Sequence, residues 1–121
     1  MPVWDEIIAA VGLLLNGDRT AGRGQLLDCW EATAAADHAE RCVLAHYLAD
    51  TESELDAEIA WDEQALAEYS HVGETDLSSI GIPSALAMAP SLHLNLGDGY
   101  LRAGRVEEAR AQADRGTAAA A

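Results

Sequence analysis

The stretch "LGDGYLRAGRVEEA", residues 96–109, decides the fold. Its three glycines admit two readings, a loop that cradles phosphate or a turn between packed helices. The phosphate reading fails on context. A Walker-type loop ends in Gly-Lys-Ser/Thr, and this chain has no lysine. The dinucleotide fingerprint needs a preceding strand, whereas "SLHLNL" ahead of it carries a helical pattern. Gly97 and Gly99 therefore fall inside a helix, where a small residue lets a neighbour approach. Gly104 makes the turn, and a last helix follows it to the alanine-rich tail.

The same punctuation runs back through the chain. "VWDEIIAAVGLLL" places Trp4, Ile7, Ile8, Val11 and Leu14 at helical spacing, and Gly17 with Asp18 ends that helix. A second helix is predicted through "GQLLDCWEATAAA". Asp37 with Glu40 predicts the start of a third, and Thr51 with Glu54 that of a fourth, both as capping boxes. The fourth helix presents the stripe Leu55, Ile59, Asp62 and Leu66. "HVGETDLSSIGIPSALAMAP" then breaks periodicity at Gly73, Gly81, Pro83 and Pro90, and a short helix is expected within it. Pro90 suits the first turn of the next helix. No strand signal appears. The expectation is one all-α domain over 1–121, built of antiparallel helical hairpins, with about six helices and a short inserted helix.

In its details, "LGDGYLRAGRVEEA" resembles a tetratricopeptide repeat. Leu96, Gly97 and Tyr100 stand where that family has a Leu-Gly pair and a Tyr on the first helix. Gly104 stands at the turn and Ala109 at the small residue of the second helix. With Ala45 in the place of Gly97, Leu44 matches Leu96, Leu48 matches Tyr100 and Ala57 matches Ala109. With Ala10 there, Gly17 is the turn, and Gly22 and Leu26 follow. Ala10, Ala45 and Gly97 lie 35 and 52 residues apart, against a period of about 34 in the family. The surplus falls in the Gly/Pro segment. The departures are Glu6, Arg41 and His93 where a Trp often stands, and the missing unit-closing proline. The resemblance implies a right-handed helical-repeat bundle of the small bacterial kind, with units of about 3–36, 38–70 and 90–119 and an insertion of about 71–89.

The resemblance also implies a function. First helices of successive repeats line a groove for a partner peptide. The positions carried over are Cys42, His46 and Ala49, then Ser91, Leu94, Asp98 and Leu101. The Lys and Asn with which one subgroup grips a C-terminal carboxylate are absent. A groove with apolar sides and Asp98 suits a hydrophobic or basic segment of a protein partner. The expectation is a non-enzymatic interaction or scaffold module without a cofactor. Trp4, Ile7, Ile8 and Val11 wrap more than one face of the first helix, so they form a candidate homodimer face.

Composition narrows the partners. The chain carries 21 acidic and 7 basic residues, a net charge of −14, which repels nucleic-acid phosphate and anionic lipid. Apolar runs are too short to span a bilayer. Asp5 and Glu6 stand where a signal peptide would be basic. The expectation is a cytoplasmic protein with neither nucleic acid nor membrane as partner. The competing reading is a small helical enzyme or metal-binding protein using His38, Cys42, His46 and Asp50, spaced four apart. Cys beside His can be nucleophilic and His46 with Asp50 can ligate zinc. Each four-residue step rotates about 40° around the helix, however, so the set cannot converge on one atom. Asp62, in an apolar stripe, must pair with a cation from another helix, titrate abnormally or sit at the stripe's edge.

Overall fold

The computed structural model describes residues 4–120. The first two and a half residues of the expected repeat unit and the final alanine, that is positions 1–3 and 121, lie outside the described residues. Six α-helices follow one another: α1 Trp4–Leu15, α2 Arg19–Ala32, α3 His38–Ala49, α4 Leu55–Tyr69, α5 Ala89–Arg102 and α6 Val106–Ala120. No strand occurs among the described residues. The helices pack as three hairpins, α1 on α2, α3 on α4 and α5 on α6. Successive hairpins join where α3 meets α2 and where α5 meets α4.

The hairpin ends repeat one piece of chemistry. Gly17 has φ 93° and Gly104 φ 78°. At the first, Asp18 N–H donates to Leu13 O at 3.0 Å and Gly17 N–H to Leu14 O at 3.1 Å. At the second, Arg105 N–H donates to Tyr100 O and Gly104 N–H to Leu101 O. Both are Schellman turns, in which a residue without Cβ adopts the left-handed conformation and the last carbonyls of a helix find donors. Pro90 sits in the first turn of α5, where its missing N–H costs nothing.

Helix crossings use small residues. A Cβ on Gly22 would lie 2.8 Å from the Leu14 backbone nitrogen, so α2 rides directly on the α1 backbone. Gly97 faces Gln112 and Ala109 of α6, and Gly99 faces Ile59 of α4. Ala10, Ala45 and Gly97, the matched small residues of the three hairpins, are all buried. The main core gathers Ile7, Leu26, Leu44, Leu48, Leu77 and Leu92. A smaller core of Ile59, Leu96, Tyr100 and Ala109 lies between α4 and the last hairpin.

Three expectations need correction. The inserted segment holds two 3-10 turns, Ser78–Ile80 and Ala85–Met88, instead of one short helix. Gly81, at φ 85°, and Pro83 interrupt it between them. Second, α2 starts at Arg19, five residues before the predicted stretch, because the Asp18 carboxylate accepts from Ala21 N–H and caps it there. Third, α4 starts at Leu55, and Thr51 does not cap it. The Thr51 hydroxyl instead donates to Leu48 O and receives Arg23 Nη1 at 2.8 Å, which closes α3. The third helix does begin after Asp37, but the Asp37 carboxylate accepts from Ala34 N–H behind it.

Candidate functional site

Two clefts meet along α3 and α5. The first is apolar, about 300 Å³, and lies between α1, α3 and the inserted segment. Trp4, Ile8 and Val11 line one side, Val43, His46 and Tyr47 another, and Ile80, Ile82 and Met88 the third, with Ser91 at the end of α5. The inserted segment folds back here because it carries the apolar side chains that α1 lacks as neighbours. Leu77 is fully buried, and the Tyr69 hydroxyl donates to Ala85 O at 2.9 Å to tie the segment to α4.

The second cleft is polar, about 290 Å³. Asp50 at the end of α3, Glu58 and Asp62 of α4, and Asn95, Asp98 and Arg102 of α5 line it, with Arg19 and Glu52 at the edge. The two clefts share a wall. His46 and Asp50 are one turn apart on α3, and Ser91 and Asn95 are one turn apart on α5. His46 lines the first cleft and its Nδ1 lies 3.5 Å from Asn95 Nδ2, which lines the second. Burial, opposed in part by Asp50, lowers the His46 pKa, so the ring is neutral at pH 7.

Charge is unevenly matched in the polar cleft. Arg102 is fully engaged at the rim, with Nε on Asp98 Oδ2 at 2.9 Å and its terminal nitrogen on Glu58. Glu52 is held by Arg23 at 2.7 Å and by Trp61 Nε1, which pulls its pKa down. Asp62 is different. It is 4% exposed, yet among the described residues it accepts no hydrogen bond and makes no ion pair. Burial first, then the neighbouring Glu58, Asp50 and Asp98, push its pKa up to about 7, against a smaller pull from Arg102.

The positions carried over from the repeat pattern separate into groups. His46 and Ser91 do line the apolar cleft. Asp98 lines the acidic cleft. Leu94 and Leu101 do not face either cleft. They lie with Val106 on an exposed apolar strip between α5 and α6, where Asp98 forms one edge. Cys42 and Ala49 are buried in the main body and line no cleft, because their side of α3 faces the other helices. Of the candidate dimer face, Ile7 is buried within its own chain, Trp4 and Val11 are half-buried against the core, and Ile8 is half-exposed.

The Cys42, His46 and Asp50 stripe is likewise divided. Burial, with Glu68 nearby, pushes the Cys42 thiol up to about 12, so it is protonated at neutral pH and no nucleophile. His46 faces the apolar cleft and Asp50 the acidic one. Among the described residues, no three His, Cys, Asp or Glu side chains converge closely enough to hold a metal ion. His38 instead bonds Glu68 at 2.8 Å and stacks on His71, and Gln64 also holds Glu68, which fastens α3 to α4. Arg41 lies over the Trp30 ring.

The residues missed from sequence are Glu58, Asn95 and Arg102. They come from faces that the repeat pattern assigns to packing. Asp62 was visible as an acid inside an apolar stripe, but its position facing α5 was not. No helix among the described residues is long and apolar enough to cross a membrane.

Comparison with protein families, with curated proteins and with solved structures gave no match.

Proposed function

We propose that this chain is a non-enzymatic interaction module of tetratricopeptide type, and that its crevice takes a segment of another protein carrying both apolar and basic side chains. The observation that carries this reading is the joined pair of clefts, apolar beside Trp4, Ile8 and Tyr47 and acidic beside Asp50, Asp62 and Asp98. Ligand pockets typically measure about 300–1,000 Å³, so each cleft suits one or two side chains and the pair suits a short extended segment. Supporting it are the three hairpins, the buried small residue at the matched position of each first helix, and a net charge of −14 that steers basic partners inward. The charge and the absence of any basic patch disfavour nucleic acid, and a cytoplasmic setting fits two buried free thiols, Cys29 and Cys42. Self-association through α1 would rest mainly on Ile8, since Ile7 is already buried.

The test is a fluorescence titration with a set of synthetic peptides, read on Trp4. Peptides combining Arg or Lys with Leu, Ile or Trp are expected to bind with Kd below about 1 mM, more weakly as salt rises. Acidic peptides of the same length are expected not to bind. If no basic and apolar peptide binds better than its acidic counterpart, the reading is wrong.

A further inference from the structure

Asp62 is the anomaly of the acidic cleft. A carboxyl removed from water needs hydrogen bonds or a counter-charge, and the fold gives it neither. The one guanidinium close by, Arg102, is already committed to Glu58 and Asp98. Asp50 faces the same space from the end of α3, and Asn95 adds a side-chain amide from α5. The cleft remains open to solvent at about 290 Å³, room for one planar side-chain head.

We propose that this cleft is a guanidinium pocket, in which a single arginine side chain of the partner places its planar head between Asp62 and Asp50, beneath the Arg102 bridge. The inference rests on the interaction-module reading above and names the residue that the acidic end selects. A guanidinium suits the place better than an ammonium. It is less strongly hydrated, so it enters a half-dry cleft at lower cost, and its fork offers parallel donors to a carboxylate. Arg102 displays the same chemistry at the rim, where one guanidinium joins carboxylates from two helices.

The pocket also couples binding to protons. Asp62 faces Asp50 from α3, Glu58 on its own helix, Asp98 and Arg102 from α5, and Arg19 and Glu52 at the α2 and α3–α4 edges, with neutral His46 beyond Asn95. The acids outnumber the cations, so the carboxyl keeps its proton near neutrality until a cation arrives. Guanidinium binding expels that proton. Affinity therefore rises with pH, by about tenfold between pH 6 and pH 8 for a single group titrating near 7.

The probe is N-acetyl-arginine amide, followed by NMR on the uniformly labelled full chain. Native protein is expected to shift the amides around Asp50, Asp62 and Asn95, with tightening between pH 6 and pH 8. Asp62→Asn is expected to weaken binding at pH 8 by about tenfold or more and to flatten its pH dependence, while its spectrum stays that of a folded protein. Asp50→Asn, at an exposed helix end, is a second variant that leaves the core alone, with a loss of a few-fold. N-acetyl-citrulline amide, of the same shape without charge, is expected not to bind, and N-acetyl-lysine amide to bind more weakly than the arginine probe. Equal binding by native and Asp62→Asn protein overturns the pocket, and so does equal binding of citrulline or a preference for lysine. If basic and apolar peptides bind but replacing their arginines by citrulline changes nothing, the pocket fails and the module reading stands. If the arginine probe binds at Asp62 and no peptide binds anywhere, the pocket stands and the module reading fails.

Discussion

Gly22 and Gly24 lie two residues apart on α2, and alanine at each should change stability in opposite directions. At Gly22 the added methyl would sit 2.8 Å from Leu14 N and 3.0 Å from Leu14 Cα. Carbon contacts relax at roughly 3.5–4.0 Å, and the obstacle is backbone, which cannot rotate aside. α1 and α2 must separate by about 1 Å along a line that also buries Leu26 and Ala10. Overpacking of this kind costs about 1–3 kcal/mol. Alanine returns about 0.8–1 kcal/mol in helix propensity. The net is a loss of roughly 0.5–2 kcal/mol. At Gly24 nothing lies within 4 Å and the residue is exposed. Only propensity changes there, so Gly24→Ala should gain about 0.5–1 kcal/mol. In a domain of this size 1 kcal/mol moves the melting temperature by about 3–5 °C. The assay is urea denaturation with thermal melts, both followed by circular dichroism. If Gly22→Ala proves as stable as native, α2 does not ride on the α1 backbone and the first hairpin is packed differently. If Gly24→Ala is destabilising, the exposed face of α2 has been misassigned.

Other perturbations test the remaining contacts. Asp62→Asn should alter the pH dependence of stability. A carboxyl that rises from 3.8 unfolded to about 7 folded holds its proton more tightly in the folded chain. Its contribution is fully present below pH 4, is lost as pH rises to about 7, and amounts to about 4 kcal/mol. The variant should therefore lose less stability than native across that window, and parallel profiles in denaturant titrations would contradict the burial of an unpaired acid. Gly97→Leu should destabilise by about 1–3 kcal/mol, since Gln112 Cβ and Ala109 O stand 3.3 and 3.5 Å from the missing Cβ; an unchanged melt would place Gly97 away from α6. Tyr69→Phe removes the hydroxyl that holds Ala85 O, at a cost of about 1 kcal/mol. Limited proteolysis should then cut faster within the inserted segment, and an unchanged cleavage pattern would show that the bond does not hold it.

Much of the architecture was legible because single residues decide it locally. Gly17 and Gly104 are turns since only a residue without Cβ sits comfortably at their φ, and Pro90 opens α5 because φ and the missing donor suit a first turn. The starts of α2 and α4 were not legible in the same way. Thr51 carries a cap pattern, but Arg23, distant in sequence, takes its hydroxyl, and no local rule predicts that. The inserted segment could be seen as broken, yet the docking of Ile80 and Ile82 beside α1 depends on what α1 leaves uncovered. In the site, His46, Ser91 and Asp98 came from the pattern of first helices. Cys42 and Ala49 came from the same pattern and are buried, because a four-residue step drifts around the helix and α3 is enclosed on most sides. Asp62 announced itself as an acid among Leu55, Ile59 and Leu66. That Asn95 and Arg102 of α5 share its cleft follows only from how the third hairpin docks.

The division of the apolar interior into two bodies has a dynamic consequence. The last hairpin is fastened to α4 through Ile59, Leu96, Tyr100 and Ala109, while most other buried apolar side chains belong to the first two hairpins and the inserted segment. A cooperative unit with so few anchors opens before the whole molecule does. Amide protons of α6, and of the exposed side of α5, should then exchange with solvent through a partial opening that leaves α1 to α4 closed. Asn95, Asp98 and Arg102 travel with that hairpin, so the acidic cleft exists only while it is shut. A ligand seated between Asp62 and α5 would act as a latch, and the slowing of exchange along α6, far from any contact with the ligand, would measure how firmly it holds.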